Sequence, residues 1–491
     1  MKKIILMLLT VSLMSGCSDA EIIATLKGES SPNMQMSSGN NNNNNSNTTV
    51  TELKEQSDEI PTVEFPNYKS GKNVGEPVLQ EENTDIVITQ SGTYEFVGNY
   101  QTLMVNVDKE VDSEAVYLIL NNAHFSSETG TPIHIEEAKD VVFILEEGSF
   151  NTVNQGKIVT TDEDFPSGAI YSRADTVITG KGTLTVTTEY NDGINSRDDL
   201  VIIDANIVVN SIDDGIVGKD IVAINGANIE VITGNDGIKS TNADDADRGN
   251  VIIQSVNFLI NAGGDCLVAE KCLQIDSGTF ELTSGGGFTE VLNVITKGEG
   301  PGNTVQTTDT LEYSMKALKG YDIILNDGTF NISAYDDAIN AKNNLVVSAG
   351  TYNIYTGDDG LTADNILNIY AGTINVFEGY EGIEAPYLSI YGGKIYVNVL
   401  DDAMNTNGVA GHMYIAGGDI HLVSNGDGVD SNHSFTMDGG NLVIDCNPMN
   451  TGGDSAIDID GTIVIAGGTI TDANGNAIDA TVSTGGKGTR R

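Results

Sequence analysis

The residues best placed to do chemistry in this chain are carboxylates that recur at a fixed spacing. Asp192, Asp214 and Asp236 stand 22 residues apart, and Asp213 doubles the middle one. A second series holds Asp336 and Asp337, Asp358 and Asp359, Glu381, and Asp401 and Asp402. Its second members, Asp337, Asp359, Glu381 and Asp402, are separated by 22, 22 and 21 residues. If each interval closes one coil of a solenoid, these groups stack ~4.8 Å apart along one line. Like charges that close repel unless protons or a cation intervene. All-oxygen clusters without His or Cys suit a hard cation. Calcium, with its flexible shell of roughly six to eight oxygens, fits carboxylates offered by neighbouring coils better than magnesium, which demands octahedral geometry. The competing reading is turn chemistry, because Asp or Asn before Gly bonds its own backbone. A turn needs only one such residue, so doubled Asp on adjacent coils is the more specific signal.

The elements that must position these groups follow from the same period. Each unit runs from the acidic pair through Gly/Ala-Ile/Leu to L-x-I/V, then Ala/Gly-Gly-Thr/Lys, then a second apolar alternation. Three short strands and three turns account for the length. Leu345, Val347, Tyr352 and Ile354 in one coil, and Leu367, Ile369, Ile374 and Val376 in the next, alternate inward. Gly350, Gly372 and Gly393 let the chain bend between faces. Asn331, Asn353 and Asn375 are in phase and should stack as an outward ladder. The pattern predicts an all-β chain, a right-handed parallel β-helix of roughly fifteen coils. The handedness follows the general crossover tendency. At ~4.8 Å per coil such a rod is on the order of 70 Å long. Two stretches break the period, Ser240–Asn250 and Gly285–Ser314, and loops of that kind either build sites or are tolerated insertions.

Composition narrows the partners. The chain has 491 residues with 24 Lys+Arg against 70 Asp+Glu, a formal charge of −46. That surface repels nucleic acid. Residues 1–17, MKKIILMLLTVSLMSGC, read as a lipoprotein signal with Cys17 as lipid acceptor. Residues 18–82, with the run Asn40–Asn45, read as a low-complexity tether, and 83–491 as the β-helix domain. The expected location is extracytoplasmic, at the outer membrane or cell surface, with the lipid as the sole membrane attachment and the protein a monomer. Of the remaining cysteines, Cys266, Cys272 and Cys446, the first sits where other coils carry Gly193, Gly215 or Ala338, as a small buried hydrophobe would.

Two further sets of side chains bear on function. Tyr355, Tyr370, Phe377, Tyr391 and Tyr396 fall on outward phases, where aromatic rings could stack on sugars, shield strand edges or pack on loops. Lys239, with Lys316 and Lys319, lies near acidic turns. A lysine base needs a lowered pKa, and surrounding carboxylates push the other way unless a cation cancels them. Lys239 is therefore a weak catalytic candidate. Carboxylate pairs that repeat down a solenoid also argue against a single catalytic pair.

The signal-type start, the coil length and the turns DDGI, DDAI and NDGI resemble those of the bacterial family of extracellular carbohydrate-binding β-helix proteins, similar in coil and calcium placement to family 9 polysaccharide lyases. The resemblance spans about 130 to 480. It implies a right-handed parallel β-helix that binds calcium through turn aspartates and binds cellulose or pectic polysaccharide. The matching positions are Asp192, Asp213, Asp214 and Asp236, then Asp336, Asp337, Asp358, Asp359, Asp401 and Asp402. Coils at Gly264, Tyr380 and Gly426 depart from the doublet. The expectation is a calcium-binding lipoprotein that holds plant-type or acidic polysaccharide without cleaving it. The alternatives are a calcium-dependent lyase acting by pectate-type β-elimination, and an adhesin with structural calcium.

Overall fold

Short β-branched runs bounded by Gly, Asn and Asp cannot close a core alone, but stacked in register they bury one another's inner faces. A computed structural model shows this arrangement. It describes residues 62–66, 75–82, 84–162, 164–291, 313–408, 411–446 and 455–480. The described secondary structure is strand throughout, in one sheet with parallel pairing between strands of successive coils. The strands sort into three faces over about fifteen turns. The first face includes Asp192–Ser196, Ile216–Gly218 and Ile238–Ser240, and the second Leu200–Ile203, Ile221–Asn225 and Asn250–Gln254. The third includes Asn206–Ser211, Asn228–Thr233 and Val256–Ala262.

Inward residues of all three faces form one continuous apolar core from Ile88 to Ala480. Its side chains stack on their own kind along the axis. Phe280 lies 4.4 Å from Phe330 at 4° between planes, and Phe330 lies 4.8 Å from Tyr352 at 7°. The glycines of the turn from second to third face adopt positive φ, 102° at Gly350, 106° at Gly372 and 99° at Gly393. A Cβ at Gly372 would lie 2.9 Å from the Gly350 carbonyl oxygen, so the turn excludes larger residues twice over. The outward ladder is present: Asn353 donates to Asn331 (2.9 Å) and Asn375 to Asn353 (3.0 Å).

The solenoid starts earlier than the tether boundary anticipates. Val78–Leu79 pairs in parallel with Tyr94–Glu95 through the backbone, with both its side chains exposed. Phe65 packs on an outer patch of the second face made by Val142, Val177, Val201 and Ala223. Val63 donates its N–H to Gln274 (2.9 Å) nearby. The signal segment with Cys17 and the Asn run lie outside the described residues, as does 292–312 of the longer excursion. The shorter one is clipped down. Arg248 pairs with Asp220 and Asp245, and the Asn242 amide donates to Asp220 (2.6 Å). Cys266 and Cys272 are free thiols, and Cys266 is fully buried in the core. Among the described residues no helix is long and apolar enough to cross a membrane.

Candidate functional site

Every acidic residue singled out by the repeat falls at one corner, the turn leading from the third face into the first. Backbone bonds there run coil to coil: the N–H of Gly193 donates to the Asp214 carbonyl, that of Gly215 to Asp236 and that of Gly237 to Asp265. The side chains add a second ladder. One oxygen of Asp192 accepts the backbone N–H of Asp214 (3.2 Å), Asp214 that of Asp236 (3.0 Å), and Asp236 that of Asp265 (2.9 Å). The pattern resumes from Asp337 to Asp359 and from Asp359 to Glu381, both at 3.3 Å, and from Asp402 to Asp427 at 2.6 Å. Each carboxylate thus satisfies the first backbone donor of the next turn. This is the turn chemistry the sequence suggests, but it acts across coils rather than within one.

The second oxygen of each carboxylate separates the levels. Asn195, three residues on, donates to Asp192 (2.7 Å), and Asn340 donates to Asp337 (2.9 Å). In the middle of the ladder lysines do the same work. The Lys239 ammonium lies between Asp214 (2.5 Å) and Asp236 (3.2 Å). That of Lys316 lies between Asp336 (2.8 Å) and Asp337 (2.6 Å), and that of Lys319 is 3.0 Å from Asp265. Burial alone would lower the pKa of Lys239, but the two flanking carboxylates outweigh it and hold the amine well above its ordinary value. A base so protonated abstracts no proton.

Beyond Asp337 the lysines stop while the carboxylates continue. Among the described residues none pairs a Lys or Arg with Asp359, Glu381, Glu384 or Asp402. Burial pushes Asp359 well above the carboxylate range, reinforced by Asp337 and Asp358. Burial, then Glu384, takes Glu381 to about 8, and burial, then Asp401, takes Asp402 to about 9. At the other end burial raises Asp192 to about 7, with Asp214 and Asp213 adding to it.

Three corner groups bring oxygens within 4.8 Å of one another: Asp192, Asp213 and Asp214; Asp336, Asp337 and Asp358; Asp402, Asp427 and Asp430. Each adjoins a buried side-chain oxygen with no hydrogen-bond partner: Asn195 Oδ1, then Asp336 Oδ1 and Asn340 Oδ1, then Ser455 Oγ. Orphaned buried oxygens beside clustered carboxylates fit the donor set of an oxygen-loving cation. The repeat count did not reach Asp427 and Asp430, because an enlarged coil puts Asp427 25 residues after Asp402. A fourth group, Asp175, Asp198 and Asp199, sits at the corner between first and second faces and was not foreseen. There burial, then Asp175 and Asp198, raises Asp199 to about 6.

The aromatic candidates divide into two columns. Tyr370 and Tyr391 lie at the turn after the second face, stacked at 4.8 Å and 9°. Tyr355, Phe377 and Tyr396 follow one another on the outside of the third face, 5.2 and 6.2 Å apart with tilted rings. Phe288 precedes this column and His421 follows it. Tyr355, Tyr370 and Tyr391 are exposed, whereas Phe377 and Tyr396 are half-buried.

A parallel β-solenoid with a carboxylate-lined corner defines a class of repeat protein that stacks acidic side chains along one edge. The chain belongs to the family of carbohydrate-binding domain-containing proteins, whose model matches residues 82–360 and 358–489. A carbohydrate-binding domain-containing protein of Acetivibrio thermocellus is 35% identical over 225 residues, 45% of this chain and 78% of the relative. A solved structure of a polysaccharide lyase-like protein from C. thermocellum, a gadolinium derivative, aligns with TM-score 0.38 at 21% identity. The alignment covers 61% of this chain and 99% of that one.

Proposed function

We propose that the protein is a calcium-dependent binder of polysaccharide that does not cleave it, held outside the cytoplasm by a lipid on Cys17. Family membership supports the carbohydrate class. The observation that carries calcium is the corner itself, where Ser455 Oγ lies buried without a partner beside Asp402, Asp427 and Asp430. Asp192, Asp213 and Asp214 with Asn195 make a second such site. The Lys239 ammonium on Asp214, and that of Lys316 on Asp336 and Asp337, already supply positive charge, so an ion at either site competes with a lysine. Calcium in these sites neutralises carboxylates that otherwise repel one another, and it stiffens the coils they join.

The non-catalytic reading follows from the lysines. Lys239, Lys316 and Lys319 each sit on one or two carboxylates, as structural partners rather than bases. The tilted column of Tyr355, Phe377 and Tyr396 offers an apolar stripe for sugar rings. The test is retention of the intact chain on immobilised polysaccharides with calcium and with a chelator, alongside ultraviolet absorbance of polygalacturonate. Retention that needs calcium, without unsaturated product, is the expected result. Unsaturated product lost on Lys239→Ala would replace this reading with a lyase, and retention on no polysaccharide would favour an adhesin with structural calcium.

A further inference from the structure

Basic residues are scarce in this chain, 24 against 70 acidic ones, yet three stand in consecutive coils at one repeat phase. Arg173, Arg197 and Lys219 each follow the end of a first-face strand. The register is fixed by the backbone: Arg197 donates its N–H to the Ser172 carbonyl and Lys219 to that of Ser196. The three side chains therefore repeat at ~4.8 Å along the axis. All are exposed. Arg173 is engaged by Glu136 at 3.5 Å, whereas the Arg197 and Lys219 heads make no ion pair among the described residues.

The column lines a groove. One part, of about 550 Å³, is walled by Asp164, Phe165 and Ser167 of an incoming loop, with Tyr171 and the three basic residues opposite. It runs into a second part, of about 320 Å³, that shares Ser167, Arg197 and Lys219 and ends at the Asp192, Asp213 and Asp214 corner. Phe165 is propped on Tyr190, rings 5.4 Å apart and nearly perpendicular. One trough thus places an aromatic wall, two unpaired cationic heads and the oxygen cluster with the orphaned Asn195 Oδ1 side by side.

We infer that this groove on the first face is the subsite for an anionic glycan, with Arg197 and Lys219 binding the oxyanion groups of successive sugars. The inference rests on the carbohydrate-binding reading and locates the charged part of the ligand. A single small anion would use one such head. Cations repeated at coil spacing along an open trough suit a linear polymer with repeated charge. Arg presents a planar fork to a carboxylate or sulfate, and Lys a point charge. Phe165 gives an apolar surface for the sugar ring between them. A cation at the adjoining corner would face the same trough and add a third positive centre.

The test measures binding of the full-length protein, with calcium present, to polygalacturonate, to its methyl ester and to dextran sulfate, by affinity electrophoresis. Wild type should prefer the charged polymers. Arg197→Gln/Lys219→Gln should lose at least about tenfold in affinity for them, the scale of one charge-assisted hydrogen bond. Its melting temperature should be unchanged, since neither head has a partner to lose. Lys181→Gln/Lys342→Gln, an equal charge change elsewhere, should bind as wild type does. Dextran sulfate bound in preference to polygalacturonate would assign the groove to sulfated glycans, and the reverse to uronates. Unaltered binding by the first pair, or equal loss by the second, overturns the subsite. So does a wild type that binds only the uncharged ester, although the carbohydrate reading then stands. A wild type that binds no polymer overturns both.

Discussion

At the scale of single residues, the corner carboxylates are held in a state that depends on what neutralises them. Asp192, Glu381 and Asp402 have folded pKa values near 7, 8 and 9, against about 4 in an unfolded chain. A raised carboxyl pKa means that the folded protein holds more protons than the unfolded one between those limits. The stability this contributes is complete below about pH 4 and drains away as pH climbs through 7 to 9. Calcium binds the deprotonated form, so its stabilisation grows over the same range. Calorimetry in chelator should therefore show the melting temperature falling from pH 5 to pH 8.5, and calcium should flatten or reverse that slope. A chelated protein equally stable at both pH values would remove the argument. Asp402→Asn separates the two effects in one variant. The amide keeps an oxygen to accept the Asp427 N–H but carries no charge. At pH 8 without calcium the variant should be more stable than wild type by at least about 1 kcal/mol. With saturating calcium the order should invert, because one ligand has been weakened.

At the scale of the element, a coil is held by ladders as much as by its core. The Phe280–Phe330–Tyr352 stack fills the third-face side of three successive coils. Phe330→Ala leaves a ring-sized gap between two flat neighbours and should cost about 3–5 kcal/mol in urea unfolding. Asn353→Ala breaks one donor and one acceptor in a part-exposed ladder and should cost about 1 kcal/mol. Similar losses from the two variants would mean that the outer ladder matters more than this ordering allows. The elements were legible because the period is nearly constant from Asp336 to Asp402, so inward and outward phases could be read off one coil and carried to the next. Legibility failed where the period does. Asp265 and Lys316 are neighbours across a step of 51 residues. Their side chains, with Lys319, form the cationic stretch of the ladder, which a 22-residue count never brings together. The basic column was missed for a different reason. Ser172-Arg173, Ser196-Arg197 and Gly218-Lys219 share one phase, but it lasts only three coils and lies in a chain with 70 acidic residues against 24 basic ones, so the acidic period dominates the pattern.

At the scale of the whole molecule, a formal charge of −46 opposes folding through self-repulsion, and two remedies differ in kind. Mobile ions screen exposed charges within a Debye length, about 8 Å at physiological salt, and any monovalent cation serves. Bound ions act at the corner, where the carboxylates are buried and packed within 4.8 Å, too close and too dry for screening to reach. Sodium chloride should thus raise the melting temperature steeply up to roughly 0.15 M and then level off. Calcium chloride at equal ionic strength should add a further increment that saturates with concentration. Magnesium should add less, since corners shaped by coil spacing do not supply a strict octahedron. The increment should be largest at high pH, where the raised carboxyls of Asp192, Glu381 and Asp402 have lost their protons and repulsion at the corner is greatest. Calcium and sodium curves that superimpose at matched ionic strength across this pH range would assign all the stabilisation to screening. The stacked carboxylates would then be a backbone-capping device, stabilised by their own protons and by Lys239, Lys316 and Lys319.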